Sequence, residues 1–215
     1  MAKVNDLKYE NLEELSWEPD SRLDSMKKLF DYAIGYATKA TDWYFSKRKW
    51  KRLWGYVFRV SAVVAGAAAG VIPVIGEMYK VGEVPMIKPA WATCALAAAA
   101  LLVLLDKLGG FTSGWVRYIL AGQQIARKME DFKFDWEQLR IQLTGAHPTN
   151  EQAIDAINRC RSFAMETDSI VQKETQLWAA EFQSTIKEID NVVKAVRQSE
   201  GSVDDKKDKK KGDKK

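Results

Sequence analysis

Charged residues are distributed along this chain in blocks. From Val60 to Gly76 none occurs, and the stretch VSAVVAGAAAGVIPVIG also lacks a polar face. Phe58, Tyr56 and Trp54 extend it toward the N-terminus, interrupted only by Arg59, whose long side chain can snorkel. A second uncharged stretch, PAWATCALAAAALLVLL, runs from Pro89 to Leu105. A bilayer core of ~30 Å takes about 20 helical residues at ~1.5 Å each. The pattern therefore predicts two spans, 54–75 and 87–108, joined by a loop at 76–86. A buried hairpin in a soluble bundle is the competing reading, but such helices normally keep a polar face. In the first span the apolar side chains favour insertion by about 2–5 kcal/mol, so one central arginine at about 2.5–3.5 kcal/mol could cancel it.

Outside this hairpin the apolar residues follow helical spacing. Leu23, Met26, Phe30 and Ile34 mark a segment over 21–53, with Asp20 or Ser21 as its cap, that can run into the first span without a break. The Gly109–Gly110 pair and Thr112–Ser113–Gly114 predict a turn after the second span. Ile125, Met129, Phe132, Trp136, Leu139 and Leu143 then alternate steps of four and three, a heptad seam suited to packing within the chain and to assembly between chains. After a break at Gly145 to Pro148, Asn150 is a candidate cap for a helix reaching Gln198. Its seam is Phe182, Ile186, Ile189, Val193 and Val196. The organisation expected is an N-terminal segment over 1–20, partly disordered, then the 21–53 helix, the hairpin over 54–108, helices over 109–200, and a disordered Lys/Asp tail over 201–215. The fold class is an all-α membrane protein: a two-helix transmembrane hairpin with long cytosolic helices.

Composition adds less. The mean hydropathy of −0.31 alone reads as soluble, because it averages over the charge segregation. The net charge of +4 defines no nucleic-acid surface, and no nucleic acid is expected as a partner. Positive charge is asymmetric: Lys47, Arg48, Lys49, Lys51 and Arg52 precede the first span, Lys107, Arg117, Arg127 and Lys128 follow the second, and Gly76 to Lys88 holds only Lys80 and Lys88. That bias predicts a multi-pass protein of the cell inner membrane with both termini cytosolic. Trp43, Tyr44 and Trp50, with that basic run and Arg59, suit a membrane-interface collar.

Small residues mark a second candidate site. Ala62, Gly66 and Gly70 on the first span, and Ala95 and Ala99 on the second, form strips that permit close helix packing, within one chain or between neighbours. A homo-oligomer in the bilayer is expected. Catalytic material is sparse: His147 is the single histidine, Cys94 and Cys160 make no metal-ligand spacing, and no GxSxG or GxxxxGK[ST] occurs. No enzyme, metal site or cofactor is expected, and the N-terminus has no signal-peptide apolar region.

The junction TDWYFSKRKWKRLWGYVFRVSAVVAGAAAGVIPVIG, with Asp42, Trp43, Tyr44, the Lys47–Arg52 run, Arg59, Gly70 and Pro73, resembles the SLATT family of two-transmembrane proteins associated with bacterial nucleotide-dependent conflict systems. The similar order of elements covers about residues 25 to 195; the loop and the Lys/Asp tail depart from it. The resemblance implies an effector that forms membrane pores when a signalling or sensor partner detects infection. The alternative is a membrane-anchored scaffold or sensor whose helices recruit a partner without a pore.

Overall fold

In a computed structural model of the chain, residues 11–81, 84–85, 87–88, 90–143 and 147–212 are described. Their order is α1 (Arg22–Met78), β1 (Lys80–Val81), β2 (Val84–Pro85), α2 (Ala90–Gly109), α3 (Phe111–Gln142) and α4 (Asn150–Gly212). The architecture is helical, with one two-stranded antiparallel ladder pairing Lys80 with Pro85 and Val81 with Val84. The chain divides into two compact units, residues 1–57 with 111–176, and 58–110 with 177–215.

The first unit is a bundle built from three periodic faces. Met26, Ala33, Ala37, Ala40 and Tyr44 recur in steps of three, four or seven along α1 and are buried. Ile125, Phe132, Trp136 and Leu139 do the same on α3, and Ala153, Ala156, Cys160 and Phe163 on α4. The alanines let the helix axes approach, and aromatic rings fill the space between. Phe132 stacks on Phe163 with centroids 4.3 Å apart, and Phe30 stacks on Trp136 at 4.6 Å. Ile125 and Leu139 are essentially inaccessible, so truncating either to alanine costs about 2–5 kcal/mol.

The ends of the helices are held by side chains. Thr149 Oγ1 accepts from the Gln152 amide N–H at 3.2 Å, and Gln152 Oε1 accepts from the Thr149 N–H at 2.9 Å. This reciprocal capping box makes Thr149 the cap of α4, in place of the expected Asn150. The T-x-x-Q signature was present in the sequence. Ser21 stands before α1 as expected, but its hydroxyl turns back to Ser16 rather than capping amides of the first turn. Arg22 donates to the Pro148 carbonyl and Trp17 carbonyl, tying the start of α1 to the residues before α4.

Three boundaries differ from the sequence reading. α1 passes through Pro73 and ends at Met78, beyond residue 75 where the first span was expected to end. The proline removes one backbone donor, a loss a long helix absorbs locally. The turn between α2 and α3 is Gly110 alone, with φ 54°, and Thr112 and Ser113 lie inside α3. Only glycine takes that left-handed conformation freely, which makes a one-residue break possible. Finally, α4 is helical to Gly212 where disorder was expected. Extending a nucleated helix adds one hydrogen bond per residue fixed, and lysine is a good helix former. Residues 1–10 and 213–215 of the expected terminal segments lie outside the described residues.

The second unit contains the rest of α1, the β ladder, α2 and the remainder of α4. Its α1 and α2 carry 18-residue windows of mean hydropathy 1.9 and 1.8, of which 6% and 11% are buried. A core helix of a soluble bundle would be mostly buried. These helices instead present their apolar side chains outward, as lipid requires. The α4 seam is also largely open: Phe182 and Ile186 are each 39% exposed. Trp178 stacks on Phe182 at 5.6 Å.

Candidate membrane-spanning hairpin

The hairpin is built from two alanine-rich helices whose less exposed positions fall on one face each. On α1 these include Ala62, Ala65, Ala69 and Ile72, and on α2 Ala92, Ala95, Ala99 and Leu102. Both series step by three and four residues, the geometry of a packed helix pair. The opposite faces carry Val64, Val74 and Leu101, all more than half exposed.

This places the predicted small-residue strip in two parts. Ala62, Ala95 and Ala99 belong to the inward face. Gly66 and Gly70 do not: a Cβ built on either meets nothing within 4 Å. Within one chain the glycine pair therefore makes no tight contact, and its strip lies open. Steps of three and four from Ala62 reach Ala65 and Ala69, so a register one residue away puts the glycines on the neighbouring surface.

At the hairpin end opposite the loop lies a charge pair that sequence reasoning missed. Arg59 Nε donates to Asp106 Oδ2 at 3.3 Å. The Asp106 side chain is 9% exposed and the Arg59 side chain 66% exposed. The expected second span runs across Asp106 without naming it. Antiparallel helices set residues equidistant from their loop opposite one another, and that symmetry was the available signal. Pairing removes most of the cost of charge near lipid. Beyond it Lys107 Nζ donates to both Glu188 oxygens, at 2.8 and 2.9 Å, joining α2 to α4.

In the first unit the predicted basic and aromatic collar divides. Lys47, Lys49, Trp50 and Arg52 are exposed, as an interface needs, and Arg48 lies over the Phe45 ring at 4.8 Å. Tyr44 is 1% exposed, so it is a core residue and not an interface anchor. Trp43 is half-buried and packs against Tyr44 and Tyr118, with centroids 5.1 and 5.5 Å away. Lys51 also turns inward, over the Tyr118 ring at 5.0 Å. Gly114 leaves room for it: a Cβ there would sit 3.0 Å from Lys51 Nζ, closer than ordinary contact.

Around Lys51 is a buried polar cluster. Arg117 Nε lies 3.5 Å from Glu174 Oε1, with the two side chains 16% and 11% exposed. Burial raises the Glu174 carboxyl above its usual range, against the pull of Arg117 and Lys51. Burial lowers the Lys51 ammonium, reinforced by Arg117 and opposed by Glu174. Tyr44 and Tyr118 are both raised, first by burial and then by Glu174. These shifts share one cause: charges held where water is scarce.

The heptad seam on α3 is already occupied. Ile125, Phe132, Trp136 and Leu139 are buried within the bundle, and Met129 and Leu143 pack against the same core. Within the chain α1 and α4 supply the partners of this seam, so the intrachain packing expected of it is what the fold uses, with Met129 and Leu143 left partly exposed.

Apolar spans, an outward-facing surface and long helices on either side of the hairpin define an α-helical, two-span membrane protein. The chain belongs to the family described as SMODS and SLOG-associating 2TM effector domain 2, which matches residues 6–200. It is a two-transmembrane effector domain associated with conflict systems. No curated protein and no solved structure matches the chain.

Proposed function

We propose that this chain is the membrane effector of a bacterial anti-phage or stress system, that it assembles as a homo-oligomer, and that it permeabilises the inner membrane when a partner or a nucleotide-dependent signal triggers it. The observation that carries the reading is the hairpin: two helices of spanning length, hardly buried, in a chain of a 2TM effector family. Both termini face the cytosol, by the lysine and arginine bias. Its action is non-catalytic. Two helices enclose no aqueous path, so permeabilisation requires several hairpins.

The open Gly66–Gly70 strip supports assembly through the spans. Without a hydrophobic drive between helices in lipid, close backbone approach is the available attraction. The test is the double variant Gly66→Leu/Gly70→Leu. Leucine adds apolar bulk, so insertion is retained. The variant reaches the membrane, loses its higher-order crosslinks and loses ion leakage on activation. Parental leakage with an unchanged crosslinking ladder refutes the glycine contact. A parent that stays monomeric and tight under activating conditions refutes the pore, and leaves the anchored scaffold as the better account.

A further inference from the structure

Between α1 and α2 of the hairpin runs a groove of ≈ 550 Å³, within the size range of small-molecule sites, ~300–1,000 Å³. Ala62, Ala99 and Ala100 line it, too short to fill it. Val63 and Leu96 flank it, 72% and 61% exposed. Its lining is apolar except at one end, where Arg59, Asp106 and Lys107 meet.

From this we infer that the groove binds one anionic glycerophospholipid, with an acyl chain along the alanines and the head-group phosphate at Arg59 and Lys107. The charge pattern selects the occupant. Among the residues lining the groove the acid is hidden, with Asp106 9% exposed, whereas the Arg59 and Lys107 side chains are 66% and 45% exposed. What the groove lining presents to an occupant is therefore cationic. Asp106 engages the Nε edge of Arg59 and so fixes the guanidinium beside the mouth. Glu188 competes for Lys107 but is itself 55% exposed, so water screens that pair. Basic pockets between spanning helices are established sites for anionic head groups, and an alanine-lined trough adjoining one suits a flexible hydrocarbon chain. The site depends on the hairpin spanning the bilayer and does not depend on a pore.

The test titrates detergent-solubilised full-length protein with phosphatidylglycerol or phosphatidylcholine of identical acyl chains, read by native mass spectrometry. The parent binds phosphatidylglycerol tighter, by roughly 5- to 30-fold for one or two phosphate-facing cations. Lys107→Gln lowers that preference roughly fivefold. Ala100→Leu fills the trough, weakening both lipids severalfold while keeping their ratio; Val63→Trp serves the same purpose if Ala100→Leu fails to integrate. Equal affinity of the parent for the two lipids overturns the site, as does unchanged binding in the trough-filling variant. Binding of sn-glycerol 3-phosphate as tight as the lipid shows a free-anion site and also overturns it. So does a dimer that Ala100→Leu abolishes without changing lipid binding, since the occupant is then a second copy.

Discussion

Replacing Glu174 by glutamine keeps the shape of the buried cluster and removes its one negative charge. Arg117 and Lys51 are then left as two neighbouring cations in a site where Arg117 is 16% exposed. At 3.5 Å and an effective dielectric constant of about 20, the Arg117–Glu174 attraction is about 5 kcal/mol. Measured losses on removing one member of a buried pair are about 3–5 kcal/mol, so Glu174→Gln is expected to destabilise the bundle by that amount. The pair itself carries a desolvation cost. The double variant Arg117→Met/Glu174→Leu should therefore recover most of the loss, whereas additive single effects would not. The assay uses Cys160, 2% exposed in the bundle core, as the reporter. In a Cys94→Ala background, urea-dependent maleimide labelling of Cys160 gives the midpoint for the parent, Glu174→Gln, the single variants Arg117→Met and Glu174→Leu, and the double. A Glu174→Gln loss below about 1 kcal/mol would mean the pair is solvated, and would refute the buried-cluster argument.

That reporter rests on a prediction of its own: burial pushes the Cys160 thiol up to about 12. Below that pH the folded bundle keeps the thiol protonated, so at pH 8 labelling should run roughly a thousandfold slower than after unfolding; equal rates would place Cys160 at a surface. For topology, a cysteine placed at Val81 should label from outside on intact cells and one at Gly201 only after lysis, and the reverse pattern would invert the orientation. Ala68→Arg should abolish integration or assembly, because its cost of about 2.5–3.5 kcal/mol rivals the apolar gain of the whole span. A variant that integrates and acts like the parent would show that residue 68 faces water or that the segment does not span. Thr149→Ala should lower bundle stability by about 1 kcal/mol through loss of the α4 cap, seen in the same urea assay.

Much of the class was legible in one dimension. Insertion depends on summed transfer energies over about 20 residues, a local property, so the two uncharged stretches declared themselves without any knowledge of packing. The continuity of α1 from the bundle into the span was readable for the same reason: no proline interrupts Arg22 to Ile72. Heptad spacing told which residues of α3 share a face. It could not tell what covers that face, since the same pattern serves a neighbour in the chain or a neighbouring chain. The fold decided that, by bringing Phe30 and Phe163 against Phe132 and Trp136.

The remaining differences have one physical origin. A residue type states what an environment must supply, while position in space states what it does supply. Tyr44 and Lys51 are good interface residues by type, yet α1 turns them into the bundle, where Glu174 and Tyr118 meet them. Glu174 lies far along the chain from Lys51 and Arg117, so no local pattern announced the cluster. Gly66 and Gly70 are good packing residues by type, yet one residue of helical phase turns them outward and leaves Ala62 and Ala99 beside the groove. Composition and periodicity determined that this chain enters a membrane as a helical hairpin. Only the tertiary structure decided which apolar faces are already satisfied within one chain, because burial is a property of pairs of surfaces and the sequence lists them one at a time.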